Sequence, residues 1–211
     1  MTVVKTLCAW LASIVLSAYP AEKMYPDDSV KQTEYVDRVD DIVTDIQEIV
    51  YEPSHTSWFG GKWGRAMEAA LVTVIASQES GGFDPKVLSG EKRGDKGSSW
   101  CLMMLNIGRG KTREGWTGPD LIADRKKCLR SGLESARRSM NSCRKYGALS
   151  GLSIYDTGSC IKNESISVGR ISKVYYVINK SVPEDEAVMN EIVMTRGQQV
   201  ASSSTADKRD L

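Results

Sequence analysis

A chain of 211 residues, 41% of them hydrophobic, is long enough to enclose one sizeable core and a small appendage. Its 28 Lys and Arg stand against 27 Asp and Glu, a net charge of +1, so there is no global field to hold nucleic acid or a membrane surface. The local excesses, acidic from Asp37 to Glu52 and basic from Arg125 to Lys145, read as solvated helix faces.

Residues 1–21 read as an export signal: one cation at Lys5, an apolar run from Leu7 to Leu16, then the small residues Ser17 and Ala18. Cleavage is expected after Ala18 or Ala21, although neither site has the ideal small residue three positions before the cut, and the competing reading is an uncleaved N-terminal anchor. The run is too short to span a bilayer comfortably.

Residues 22–60 are expected to form an amphipathic helix and an aromatic-glycine loop that pack on the main core. Pro26, Asp27 and Asp28 open the helix, and Val36, Val39, Val43, Ile46 and Val50 recur along it at spacings of three and four. Pro53 marks its end; the loop after it carries Trp58, Phe59, Gly60, Gly61, Trp63 and Gly64, with the aromatics expected in the core.

The main domain is expected over residues 61–182. From Gly64 to Ser80 apolar residues fall on nearly every face, which predicts a helix buried all round and stopped by Gly81 and Gly82. Ser89 to Ser99 reads as an exposed loop with a short hairpin. A long helix follows from Pro119 to Tyr146, a shorter one from Leu149 to Tyr155 folds back on it across Gly147, and another covers Ile166 to Asn179. Residues 183–211 hold a weaker helix after Pro183 and a small, polar tail from Ser202 that is expected to be disordered.

With a cleaved signal, Cys8 is lost and Cys101, Cys128, Cys143 and Cys160 remain, an even number that suggests two disulfides in an exported protein. Cys128 and Cys143 on one continuous helix would lie about 22 Å apart and could not bond to each other. That leaves Cys101 with Cys128 and Cys143 with Cys160, or the crossed alternative. A zinc site is disfavoured, because there is no CxxC pair and His55 is the one histidine. No metal and no organic cofactor is expected.

Glu79 falls in the last turn of the buried helix, where the orphan carbonyls and the macrodipole disfavour a further negative charge. A carboxyl that holds its proton near neutral pH suits general-acid cleavage of a glycosidic bond. Three stretches around it, in order, resemble the soluble lytic transglycosylases and goose-type lysozymes, over about Ala69 to Val177. Glu79-Ser80-Gly81-Gly82-Phe83-Asp84-Pro85 looks like the family's Glu-Ser-Gly-Phe-Asn-Pro with one extra glycine. Trp100-Cys101-Leu102-Met103-Met104-Leu105-Asn106 is similar to Gly-Leu-Met-Gln followed by an apolar residue, with Cys101 in place of glycine and Met104 in place of a sugar-binding glutamine. Ile154-Tyr155-Asp156-Thr157-Gly158 looks like Ala-Tyr-Asn-Ala-Gly, with Asp156 in place of asparagine.

The resemblance implies a mainly α, lysozyme-like helical domain with a peptidoglycan-binding groove. Glu79 would be the catalytic acid, and Tyr155 would point its hydroxyl at it. Ser80, Ser89, Leu102, Met103, Met104 and Asp156 would lie at the substrate, with Trp100 and Trp116 as groove aromatics. The implied activity is cleavage of the bond between N-acetylmuramic acid and N-acetylglucosamine with a 1,6-anhydro product. One carboxyl suffices for that route, whereas hydrolysis needs a second, for which Asp84, Asp95 and Asp156 are the candidates. The alternatives are a lysozyme-type hydrolase and a catalytically weak wall-binding subunit of a phage particle or secretion system. The expected partner is the glycan strand of peptidoglycan, with secretion-system or phage-particle components as further partners, for a monomer in the periplasm or outside the cell.

Overall fold

A computed structural model describes residues 4–59, 64–107, 110–146, 151–160 and 176. The fold is mainly helical. The described residues divide into two compact units that part between Thr73 and Val74.

In the first unit, α1 (Val4–Ala18) and α2 (Ala21–Met24) precede the long α3 (Ser29–Val50). The segment read as a signal or anchor is α1. It packs along α3, burying Leu7, Trp10, Leu11, Ile14 and Val15. No helix among the described residues is long and apolar enough to cross a membrane. The Asp28 side chain caps α3 by accepting from the Lys31 amide at 3.0 Å. The buried face of α3 is Tyr35, Val39, Ile42, Val43, Ile46, Ile49 and Val50; Val36, expected on it, is half-buried. The Tyr35 hydroxyl donates to the Tyr19 carbonyl at 3.0 Å.

The buried helix predicted from Gly64 is α4 (Gly64–Glu79), which starts in the first unit and ends in the second. Its apolar faces conceal one charge-bearing side chain, the fully buried Glu68. Glu68 accepts from the Trp58 amide at 3.1 Å and meets His55 Nε2 at 2.8 Å. Arg65 donates to the His55 carbonyl at 2.8 Å. These bonds tie the 51–59 loop to α4, where Trp58 and Phe59 lie half-buried rather than in the core. Gly60, Gly61 and Trp63 fall outside the described residues.

In the second unit α4 ends as predicted, at Gly81 and Gly82, with φ of +62° and +76°, and the Gly82 amide reaches the Ser77 carbonyl at 2.7 Å. The turn continues into Phe83, left-handed at φ +63° yet fully buried. A short α5 (Pro85–Leu88) follows, capped by Asp84. The hairpin lies one step later than expected: β1 (Ser99–Trp100) pairs antiparallel with β2 (Leu105–Asn106), with Ser99 opposite Asn106 and Trp100 opposite Leu105.

The long helix predicted from Pro119 to Tyr146 is two helices, α6 (Gly118–Ala123) and α7 (Arg125–Cys143), followed by a 3-10 turn at Arg144–Tyr146. The break is at Asp124, whose backbone is extended and whose carboxylate accepts from the Lys126 and Lys127 amides at 3.0 and 3.2 Å, starting a new helix. Thr117 and Asp120 form a reciprocal capping box on α6. The predicted Leu149–Tyr155 helix is a single turn later and shorter, α8 (Ser153–Thr157), closed by Gly158 at φ +75°. The helices expected at Ile166–Asn179 and after Pro183, and the polar tail, fall outside the described residues, Tyr176 excepted.

Cys128 and Cys143 do share one helix, and the cysteines pair as Cys101–Cys128 and Cys143–Cys160, with Cα atoms 6.2 and 5.2 Å apart. The first bond ties the hairpin to the start of α7, and the second ties the end of α7 to the chain just after α8. Two such bonds point to an oxidising, exported setting.

Candidate functional site

Glu79 ends α4 half-buried, just before the left-handed turn, which turns the chain away and leaves the last side chain of the helix at its rim. It lines a cavity of about 680 Å³. Opposite elements supply the rest of the wall: Gly94 and Asp95 before the hairpin, Ser99, Met104, Leu105 and Asn106 in it, Ser135 on α7, and Ile154 to Gly158 along α8. The three stretches singled out in the sequence therefore share one cavity.

The hairpin wall is held by a small polar network. The Asp95 carboxylate accepts from Ser99 Oγ at 2.6 Å and from the Asn106 amide nitrogen at 3.2 Å, which bridges the turn before β1 to the outgoing strand β2. The tight turn between the strands uses left-handed residues at both ends, Cys101 at φ +59° and Met104 at φ +44°. Leu102 and Met103 between them are buried in the core rather than open to the cavity. Met103 packs directly on Gly132 of α7, where a Cβ would sit 2.6 Å from its Cγ and Cε.

The α8 wall is positioned from α7. Ser139, fully buried, donates to the Gly151 carbonyl at 2.8 Å and accepts from the Tyr155 amide at 3.1 Å. One hydroxyl thus fixes both the approach to α8 and the residue at its centre. The Tyr155 hydroxyl donates to the carbonyl of Met103, joining α8 to the hairpin turn.

The other predicted residues have varied places. Ser80, buried, donates to the Ala76 carbonyl at 2.6 Å and accepts from the Phe83 amide at 3.0 Å, so it shapes the turn after Glu79. Ser89 is exposed at the end of α5, donates to the Lys86 carbonyl at 3.2 Å, and does not line the cavity. Trp100 stacks under the Arg93 guanidinium at 4.4 Å and presses on Gly118, where a Cβ would meet its ring at 2.2 Å; Trp116 lies 6.0 Å from Lys127 Nζ. Neither indole lines the cavity, and its aromatic wall is Tyr155. Of the three carboxylates weighed for water activation, Asp95 and Asp156 line it, while Asp84 caps α5 and pairs with Lys92 at 3.4 Å.

No family model, no curated protein and no solved structure matches this chain. The site is therefore read from its own geometry. Sequence reasoning passed over Ser99, Ser135 and Thr157, and gave Asn106 no role. The signal that was available is Asn106 itself, the one carboxamide in the stretch from Trp100 to Asn106, two residues after Met104. No group of three or more His, Cys, Asp or Glu among the described residues could hold a metal ion.

Proposed function

We propose that the protein is an exported lytic transglycosylase that cleaves peptidoglycan glycan strands, with Glu79 as acid and then base. One observation carries the reading: Glu79, Met104 with Asn106, and Tyr155 with Asp156, far apart in sequence, line one cavity. Their order matches the resembled family, and the left-handed backbone at Cys101, where that family carries glycine, supports the same alignment. Asn106 supplies the carboxamide that Met104 lacks, held in orientation by Asp95.

In the proposed reaction Glu79 protonates the oxygen between N-acetylmuramic acid and N-acetylglucosamine, and the C1–O bond breaks as charge develops on the muramic ring. The carboxylate then takes the proton of the sugar's own C6 hydroxyl, whose oxygen closes onto C1. The acid form is restored and the product ends in a 1,6-anhydro ring. The nucleophile comes with the substrate, so proximity does the work of a second protein group. Hydrolysis is the second reading, favoured by the presence of Asp95 and Asp156 in the same cavity, either of which could orient water.

The test is mass spectrometry of the soluble products that wild type and Glu79→Gln release from purified peptidoglycan. Anhydro-ended muropeptides from wild type, with release by the variant reduced about 100-fold or more, is the expected result. Reducing ends instead would assign hydrolysis. Wall binding without release by wild type would leave an assembly or docking role in a phage particle or secretion apparatus.

A further inference from the structure

A second cavity, of about 350 Å³, adjoins the first and shares Leu105, Asn106 and Ser135 with it. Its character is different. Lys111, Arg113 and Arg138 line it against a single carboxylate, Glu114. Burial pushes that carboxyl up, but hydrogen bonds from Thr112, its own backbone and Ser131, with the charge of Arg138, outweigh it and hold it below the usual carboxylate range. Ser131 Oγ donates to it at 3.0 Å, and Arg138 also lies 3.7 Å from Glu134 one turn back on α7. Glu114 and Arg138 are thus engaged with the protein. Lys111 and Arg113 are exposed, and neither forms an ion pair among the described residues.

We propose that this cavity is a subsite for a carboxylate-bearing substituent of the strand whose backbone lies along Glu79. The inference rests on the glycan reading of the larger cavity. The two cavities meet at Leu105, Asn106 and Ser135, so an anionic group attached to the occupant of the Glu79 cleft can reach Lys111 and Arg113 by passing Asn106 and Ser135. On a peptidoglycan strand such a group is the short peptide carried by muramic acid, with its free carboxylates. The protein then prefers peptide-bearing strands to bare ones, and the preference is electrostatic, so it fades with salt.

The experiment measures dissociation constants of the full-length Glu79→Gln protein for soluble peptide-bearing glycan strands and for the same strands stripped of peptide by an amidase. Tighter binding of the peptide-bearing strands, by roughly three- to tenfold at low salt, is expected for two exposed charge contacts. Adding Lys111→Gln and Arg113→Gln should bring that affinity down to the stripped level and leave the stripped affinity unchanged, with circular dichroism confirming the fold. Equal affinity for both strands, or an equal loss on both in the triple variant, overturns the subsite while the glycan reading stands. Binding of neither strand by the folded protein overturns both. Competition by inorganic phosphate beyond that of chloride at equal ionic strength would reassign the cavity to a phosphate and overturn the carboxylate assignment.

Discussion

Cys101 takes a left-handed backbone at φ +59°, a conformation that costs an L-residue with a Cβ about 1 kcal/mol and costs glycine little. The disulfide to Cys128 offsets this by constraining the unfolded chain, by an amount on the order of 3 kcal/mol for a loop of this size. The two effects can be separated. In a Cys128→Ala background, Cys101→Gly should be about 1 kcal/mol more stable than Cys101→Ala to chemical denaturation; equal stability would mean the turn relaxes once the bond is gone. The position of the cysteine was legible in the sequence as a departure from a glycine; the pairing was legible only in part, since elimination left two schemes open, of which the favoured one, Cys101 with Cys128 and Cys143 with Cys160, is the one found. Glu68 was less legible still. A carboxylate within an apolar run looks like an interruption until His55 and the Trp58 amide are found against it, and neither is near it in sequence.

At the scale of elements, the cavity walls depend on α7. Its Ser139 joins the approach to α8 to the Tyr155 amide through one buried hydroxyl. Ser139→Ala strands a buried carbonyl and a buried amide, so thermal unfolding should register a loss of about 1–3 kcal/mol. Under the proposed activity, release of muropeptides should fall with it even at temperatures where the variant is fully folded, because Tyr155 loses its register. Loss of stability with full activity would show that the Cys143–Cys160 bond and the Tyr155–Met103 hydrogen bond position α8 without Ser139. The periodicity of the sequence gave the existence of α3, α4 and α7 correctly, since burial of a face writes itself into spacing. It missed the break at Asp124 because the residues on either side remain helix formers; the information was in the caps, Thr117 with Asp120 and then Asp124 before Arg125. The hairpin was placed one step too early because its turn carries cysteine and methionine at left-handed positions rather than glycine or asparagine.

For the molecule as a whole, pH acts on the first unit through Tyr35. Burial, aided by the neighbouring Tyr19 and Tyr25 and opposed by Arg38, pushes its phenol up from 10.0 to about 12. Below pH 10 the proton is present in both the folded and unfolded chain and nothing changes. Between pH 10 and about 12 only the unfolded chain releases it, so stability falls by about 2–3 kcal/mol across that window and is lost as the folded group finally titrates. Tyr35→Phe should flatten that part of the denaturation profile while costing about 1 kcal/mol at neutral pH for the bond to Tyr19. A profile unchanged by the substitution would place the alkaline transition elsewhere.

The packing of α1 on α3 sets two fates for the N-terminus against each other. Leu7, Trp10, Leu11, Ile14 and Val15 contribute on the order of 10 kcal/mol of gross hydrophobic free energy, before chain entropy, only while they remain attached. A peptidase that cut after Ala18 would uncover the stripe of Tyr35, Val39, Ile42, Val43 and Ile46. The same apolar segment cannot be both a discarded leader and the keystone of a helical pair. The mass of the chain isolated from its cells therefore reports more than processing. A trimmed chain should bind a hydrophobic dye and self-associate, and an untrimmed one should do neither, so maturation would act as a switch between a closed surface and an adhesive one.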